Sequence, residues 1–111
     1  MFSTQKKQTA IKDLVEVFDS AFFKAMAEPV RIDILKFLLI NGKSDVVTVA
    51  KSINKDRSVL SRHLHHLVEA GLLKHEKLSR NSYFVIDAEG FRLKVYVLFQ
   101  KVDRAIKDCC P

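Results

Sequence analysis

Residues 48–85, TVAKSINKDRSVLSRHLHHLVEAGLLKHEKLSRNSYFV, read in order as a helix, a tight turn, a second helix and a short β-ribbon. That order constrains the chain more than any other feature. It leaves one polar, cation-bearing helix face pointing outward, at a size that fits a DNA major groove.

The rest of the chain reads as support for that unit. Residues 1–8 are expected to be a frayed tail. A first helix is predicted from about Thr9 to Ala27, because Ile11, Leu14, Val15, Phe18, Ala21, Phe22, Ala25 and Met26 step by three and four. Pro29 ends that helix and suits the first turn of another. This second helix carries Val30, Ile32, Ile34, Leu35, Phe37, Leu38 and Leu39, apolar on most sides, as in a central core helix. Asn41-Gly42 stops it. A third helix spans about Val46 to Ile53. Asn54 suits a left-handed turn, and Asp56 suits the N-cap of a fourth helix over about Arg57 to Ala70, stopped by Gly71. Strands follow at Leu72–Lys77 and Ser82–Ile86, with Leu78-Ser79-Arg80-Asn81 as the tip. The last helix runs from about Ala88 to Asp108. Along it Phe91, Val95, Leu98, Val102, Ala105 and Cys109 follow a 4-3-4-3-4 spacing, a seam of the coiled-coil kind.

Composition bounds the function. With 111 residues there is room for one domain over 1–111, and 48% hydrophobic with 29% charged residues is an ordinary globular balance. A formal net charge of +6 admits nucleic acid as a partner without requiring it. No apolar run approaches the roughly 20 residues needed to cross a bilayer. The polar N-terminus, MFSTQKKQT, lacks a secretion signal, so a cytoplasmic protein without membrane attachment is expected. Cys109 and Cys110 are adjacent and cannot frame the fold with disulfides. No Ser-His-Asp arrangement, phosphate loop or metal cluster is visible and the three glycines are scattered, so no enzyme is expected.

On a wheel of about 100° per residue, Leu60, Leu64 and Leu67 gather on one side of the fourth helix, with Val68 near that edge. Arg57, Ser58, Ser61, Arg62, His65 and Glu69 gather opposite. Arginine grips guanine edges or phosphate in a bidentate way, and serine serves either. Backbone amides at the helix start add an anion site. Lys77, Arg80 and Asn81 at the ribbon tip, and Lys51 and Lys55 near the turn, are placed for flanking phosphates or the minor groove. Charge alone would suit a solvated face. The turn, the wheel and the ribbon together point to double-stranded DNA.

MAEPVRIDILKFLL resembles the Ala-x-Pro-x-Arg-x-x-Ile-Leu stretch of ArsR-type winged-helix repressors. DRSVLSRHLHHLVEAGLL resembles their recognition helix, with its Ser-x-His-Leu core at Ser61-Arg62-His63-Leu64, and the Tyr83-Phe84 strand fits as well. The resemblance covers roughly residues 18–110 and implies a mainly α winged helix-turn-helix fold with five helices and a two-stranded wing. It further implies a homodimer on an inverted-repeat operator, its first and last helices paired across the two-fold axis. The interface would use Leu14, Phe18, Phe22, Phe91, Val95, Leu98, Val102 and Ala105. The apolar seam agrees with this, although packing within one chain would produce the same seam. The candidate DNA-contacting set is Lys55, Arg57, Ser58, Val59, Ser61, Arg62, His63, His65, Lys77, Arg80 and Asn81, with packing the favoured use of His63.

Members of this family commonly sense metals, metalloids or redox-active sulfur. A Cys-x-Cys site on the third helix has no counterpart in Val46-Val47-Thr48-Val49-Ala50. A last-helix site would fall on Asp87, Glu89, Gln100 and Asp103, a poor zinc set because zinc prefers nitrogen or sulfur donors. Among the histidines, His63 and His66 have a spacing that permits metal binding, but packing or phosphate contact suits them better. The adjacent pair Cys109-Cys110 resembles one arsenite-responsive branch, so As(III) or another soft metal or metalloid is the expected inducer, with no other cofactor indicated. That branch carries a third cysteine a few residues later. Here the third bond would come from the partner subunit or a free thiol. Redox sensing through the same thiols, two idle thiols, and a winged-helix protein-interaction module are the competing readings.

Overall fold

The computed structural model describes residues 2–110, with side chains from Thr4 onward; Met1 of the expected tail and the C-terminal Pro111 lie outside the described residues. The elements are α1 (Phe2–Phe18), α2 (Ala21–Met26), α3 (Pro29–Asn41), β1 (Ser44–Asp45), α4 (Val46–Ile53), α5 (Arg57–Glu69), β2 (Leu73–Leu78), β3 (Asn81–Ile86) and α6 (Ala88–Cys109). This is a mainly helical winged helix-turn-helix. Six described helices replace the five expected, and a three-stranded antiparallel sheet of order β1-β3-β2 replaces the two-stranded ribbon. No described helix is long and apolar enough to cross a membrane.

The extra helix comes from Ser20. Its hydroxyl donates to the Val17 carbonyl at 2.6 Å and accepts from the Phe23 amide at 3.2 Å, with its own backbone extended. A serine that satisfies a free amide in this way starts a new helix in place of continuing the old one. The apolar period therefore runs across a bend. The helix itself begins at Phe2, ahead of the expected Thr9.

The core gathers where α2, α3, α4, α5 and the sheet meet. Ile34, Leu38, Val49, Leu60, Leu64, Leu67, Leu72 and Phe84 are fully enclosed. Each such side chain stabilises the fold by about 1.5–3 kcal/mol relative to exposure. α3 is less central than its composition suggests. It buries Ile34, Leu35 and Leu38 but leaves Ile32, Leu39 and Ile40 exposed.

α1 and α6 form a separate antiparallel arm. Lys6 near the start of α1 pairs with Asp108 near the end of α6 at 3.6 Å. Ala10, Val17 and Ala105 are buried along this contact. The expected dimer seam is thereby redistributed. Phe22 belongs to the chain's own core and meets Phe91 edge-on at 6.4 Å, while Ala105 is closed off on the arm, so neither is available to a second copy. Leu14, Phe91, Leu98 and Val102 are half-buried within the chain, and Phe18 and Val95 remain exposed. Asp87 is used as the N-cap of α6, accepting from the Gly90 amide at 3.0 Å, and Asp103 pairs with Lys107 at 2.9 Å.

One partly buried contact ties α3 to α5. The Arg31 Nε donates to His63 Nδ1 at 3.2 Å. An imidazole that accepts there is neutral, with its proton on Nε2. Burial, reinforced by the Arg31 charge, pulls the His63 pKa below the ordinary histidine value. The unfolded chain takes up this proton below a pH of about 6.5 while the folded chain resists it. The stabilisation tied to neutral His63 is therefore complete above that pH and is lost as pH falls. Thermal melts followed by circular dichroism between pH 7 and 5 are expected to show a steeper drop in Tm for the native chain than for His63→Gln. Parallel slopes would contradict this assignment.

Candidate nucleic-acid interface

The turn between α4 and α5 is built from local chemistry. Asn54 takes the left-handed conformation, φ 58° and ψ 52°, that a non-glycine residue adopts most readily when it is Asn or Asp. Asp56 then caps α5, accepting from the Ser58 amide at 3.3 Å and from the Ser58 hydroxyl. Those two bonds hold the Asp56 carboxyl below the usual carboxylate range. The cap has a consequence for binding. The free amides expected to form an anion site at the start of α5 face the chain's own carboxylate, so any phosphate there would have to compete with Asp56. A second carboxylate, Asp45, caps α4 through Thr48 and is likewise held low.

α5 is anchored by one side only. Leu60, Leu64 and Leu67 are fully enclosed, while Arg57, Ser58, Arg62, His65, His66 and Glu69 are exposed and Val59 and Ser61 are half-buried. Among the described residues, neither Arg57 nor Arg62 forms an ion pair. Both guanidiniums keep their donor forks for an external acceptor.

The histidines divide by partner. His63 turns inward, and its Nδ1 is engaged by Arg31. His65 stays on the surface but is braced: its Nδ1 lies 2.8 Å from the Ser61 carbonyl, and its ring meets His75 at 5.5 Å and Phe84 at 5.6 Å. His75 stacks on Phe84 at 4.8 Å. These rings join α5 to the wing, so the angle between recognition helix and ribbon is set by aromatic contact. Nothing in sequence spacing marks His75 for this role, because Phe84 is its partner only through the β2–β3 register.

The wing is a hairpin with Leu78 opposite Asn81 and a two-residue tip, Ser79-Arg80, in which Ser79 has φ 59°. Lys77, Arg80 and Asn81 are exposed at this end, and Lys55 is exposed beside the α4–α5 turn. At the base of the wing Lys43 pairs with Glu76, and β1 closes the sheet with Ser44 opposite Phe84. The arrangement presents one rod with two unpaired arginines, flanked by a cationic hairpin tip. That is chemistry suited to a polyanion with a readable groove.

Comparisons with known proteins agree with this geometry. A family model described as a helix-turn-helix domain matches residues 26–76. An uncharacterised HTH-type transcriptional regulator of Methanocaldococcus jannaschii is 36% identical over 66 residues, which are 59% of this chain and 74% of that protein. The crystal structure of a possible transcriptional regulator for arsenical resistance superposes with a TM-score of 0.63 at 29% identity, covering 81% of this chain and 97% of the other. An ArsR family transcriptional regulator gives a TM-score of 0.61 at 25% identity, over 78% and 88%. A homodimeric winged helix-turn-helix DNA-binding domain from Mycobacterium bovis gives 0.61 at 26% identity, over 83% and 82%. Fold, helix-turn-helix match and relatives converge: the chain belongs to the HTH-type transcriptional regulators, and its winged helix-turn-helix fold is similar to that of ArsR family regulators.

Proposed function

We propose that residues 1–111 act as one homodimeric repressor unit that grips an inverted-repeat operator and releases it when a soft metalloid, arsenite foremost, is taken up by Cys109 and Cys110. The observation that carries the DNA reading is α5, fully enclosed on its leucine side and offering Arg57, Ser61 and Arg62 on the other. In this reading Arg62 and Arg57 address base edges or phosphate, Ser58, Val59, Ser61 and His65 line the groove contact, and Lys55, Lys77, Arg80 and Asn81 position the duplex through its backbone.

The dimer is supported by shape and by apolar surface. A compact chain of this length has a radius of gyration of about 13 Å; this one has 17.4 Å and extents of 60 × 23 × 20 Å. The excess length belongs to an arm that leaves apolar residues in water. Ile11, Val15 and Phe18 form an exposed i, i+4, i+7 stripe on α1, and Val95, Phe99 and Ile106 form another on α6. Each stripe is turned by roughly 100° from the α1–α6 contact in its own chain direction. In an antiparallel pair those equal turns lead to one common side. A second copy of the arm is the occupant that fits it.

The sensing thiols sit at the far end of the same arm. Cys109 is half-buried in the last turn of α6 and Cys110, its C-cap, is exposed; both are free thiols. Neighbouring thiolates offer two of the three bonds of trivalent arsenic. Among the described residues no group of three or more His, Cys, Asp or Glu side chains is placed to hold a metal ion, so the third donor would come from the partner subunit or a free thiol. Oxidation of the same thiols is the second reading, favoured by the exposure of Cys110.

Two measurements test this function. Fluorescence anisotropy on the chain's own upstream DNA is expected to show affinity falling steeply with salt and weakened by about 1–3 kcal/mol in Arg62→Ala. A flat salt response would count against it. Replacing both cysteines with serine is expected to leave operator binding intact and abolish release by arsenite. Release by peroxide but not by arsenite in the native chain would transfer the assignment to redox sensing.

A further inference from the structure

We propose that the cleft between the α1–α2 elbow, the end of α5 and the middle of α6 binds a small apolar carboxylate, making it an effector site distinct from the terminal thiols. The cleft is a half-open cavity of about 310 Å³. Sites for small organic ligands occupy about 300–1,000 Å³, mostly apolar with a few placed polar groups. Here Val17, Ala21 and Phe22 form one wall, Val97 and Leu98 the other, and Ala70 closes the end beneath α5.

The charge in this cavity points to the ligand class. Lys101 lines it and is half-buried, yet among the described residues no carboxylate lies within 4 Å of its ammonium. A lysine whose stem lines an apolar cleft and whose ammonium has no partner in its own chain is free to meet an anion there. Lys94 lines the α5 end, its Cε 3.1 Å from where a Cβ on Gly71 would stand. Glu16 and Glu69 also reach the rim, but both are exposed. They oppose a polyanion. A molecule with one carboxylate and an apolar body meets Lys101 and the walls without confronting both acids.

Position gives the site a means of control. On the helical wheel, Glu16 on α1 and Leu93, Val97 and Lys101 on α6 lie on the side of the arm opposite the two apolar stripes, so a second copy would leave the cleft open. The cavity touches the last residue of α5 and the arm together. An occupant therefore biases the angle between the recognition helix and the helix that would set dimer spacing. This regulatory half rests on the proposed repressor function; ligand binding itself does not.

Octanoate titrated into the 15N-labelled full chain without DNA is expected to give saturable amide shifts at Ala21, Ala70 and Val97. Lys101→Met keeps the stem and removes the charge, and is expected to weaken binding about tenfold, as is replacing octanoate with octanol. Ala21→Leu, at an exposed position, is expected to lower affinity by narrowing the cavity while leaving Tm unchanged. Shifts centred on Val95, Tyr96 and Phe99, equal affinity for octanoate and octanol, or native affinity in Lys101→Met would overturn the site. Operator affinity unchanged at saturating octanoate would overturn its regulatory role. A saturable site in a chain that ignores DNA would sink the repressor reading and leave the ligand site standing.

Discussion

Three leucines fix everything that follows. Leu60, Leu64 and Leu67 seat α5 on Ile34, Leu38 and Phe84, and no polar side chain is buried among the described residues. Because the burial is confined to one side of the helix, the opposite side is defined as well. Arg57 and Arg62 point outward as a consequence of where the leucines go. Among the described residues Arg57 and Arg62 form no ion pair on the outer face, so both guanidiniums remain free for an external ligand, while Ser58 and His65 are held by Asp56 and the Ser61 carbonyl. The price is that the outer face contributes little to folding. Its residues are therefore free to vary without cost to packing, while the leucine side is constrained by it.

The helix is also fixed against rotation. The Arg31–His63 bond ties its inner edge to α3, and the ring group of His65, His75 and Phe84 ties its outer edge to the wing. These contacts fix the placement of α5 relative to the hairpin. In the proposed repressor, a change in arm geometry would reach the groove through a helix and hairpin held together in this way.

Most of the helix-turn-helix was legible in the sequence because its signals are local. Asn54, Asp56 and Gly71 punctuate α5 within a few residues of its ends, and the leucine spacing gives its face. What escaped local reading depends on distant partners. The break at Ser20 is hidden because the apolar period of α1 continues through Phe22 and Ala25, although those residues serve the core while Ala10 and Val17 serve the arm. His63 and His65 look equivalent until Arg31, 32 residues away, claims one and the wing claims the other. The two-residue β1 has no period to detect, and it exists only because Ser44 and Asp45 lie beside β3. The seam on α6 showed correctly that the helix has an apolar side. It could not show how much of that side α1 would cover.

In the proposed repressor the arm joins α5 to control, and it can do so only if it pairs with a second arm. Spin labels at His66→Cys, in a chain whose Cys109 and Cys110 are serine, measure that pairing directly by double electron–electron resonance on operator-bound protein. A single distance near about 34 Å, one turn of duplex, is the expected result. Absence of dipolar coupling, or a broad distribution without that spacing, would exclude the paired arms.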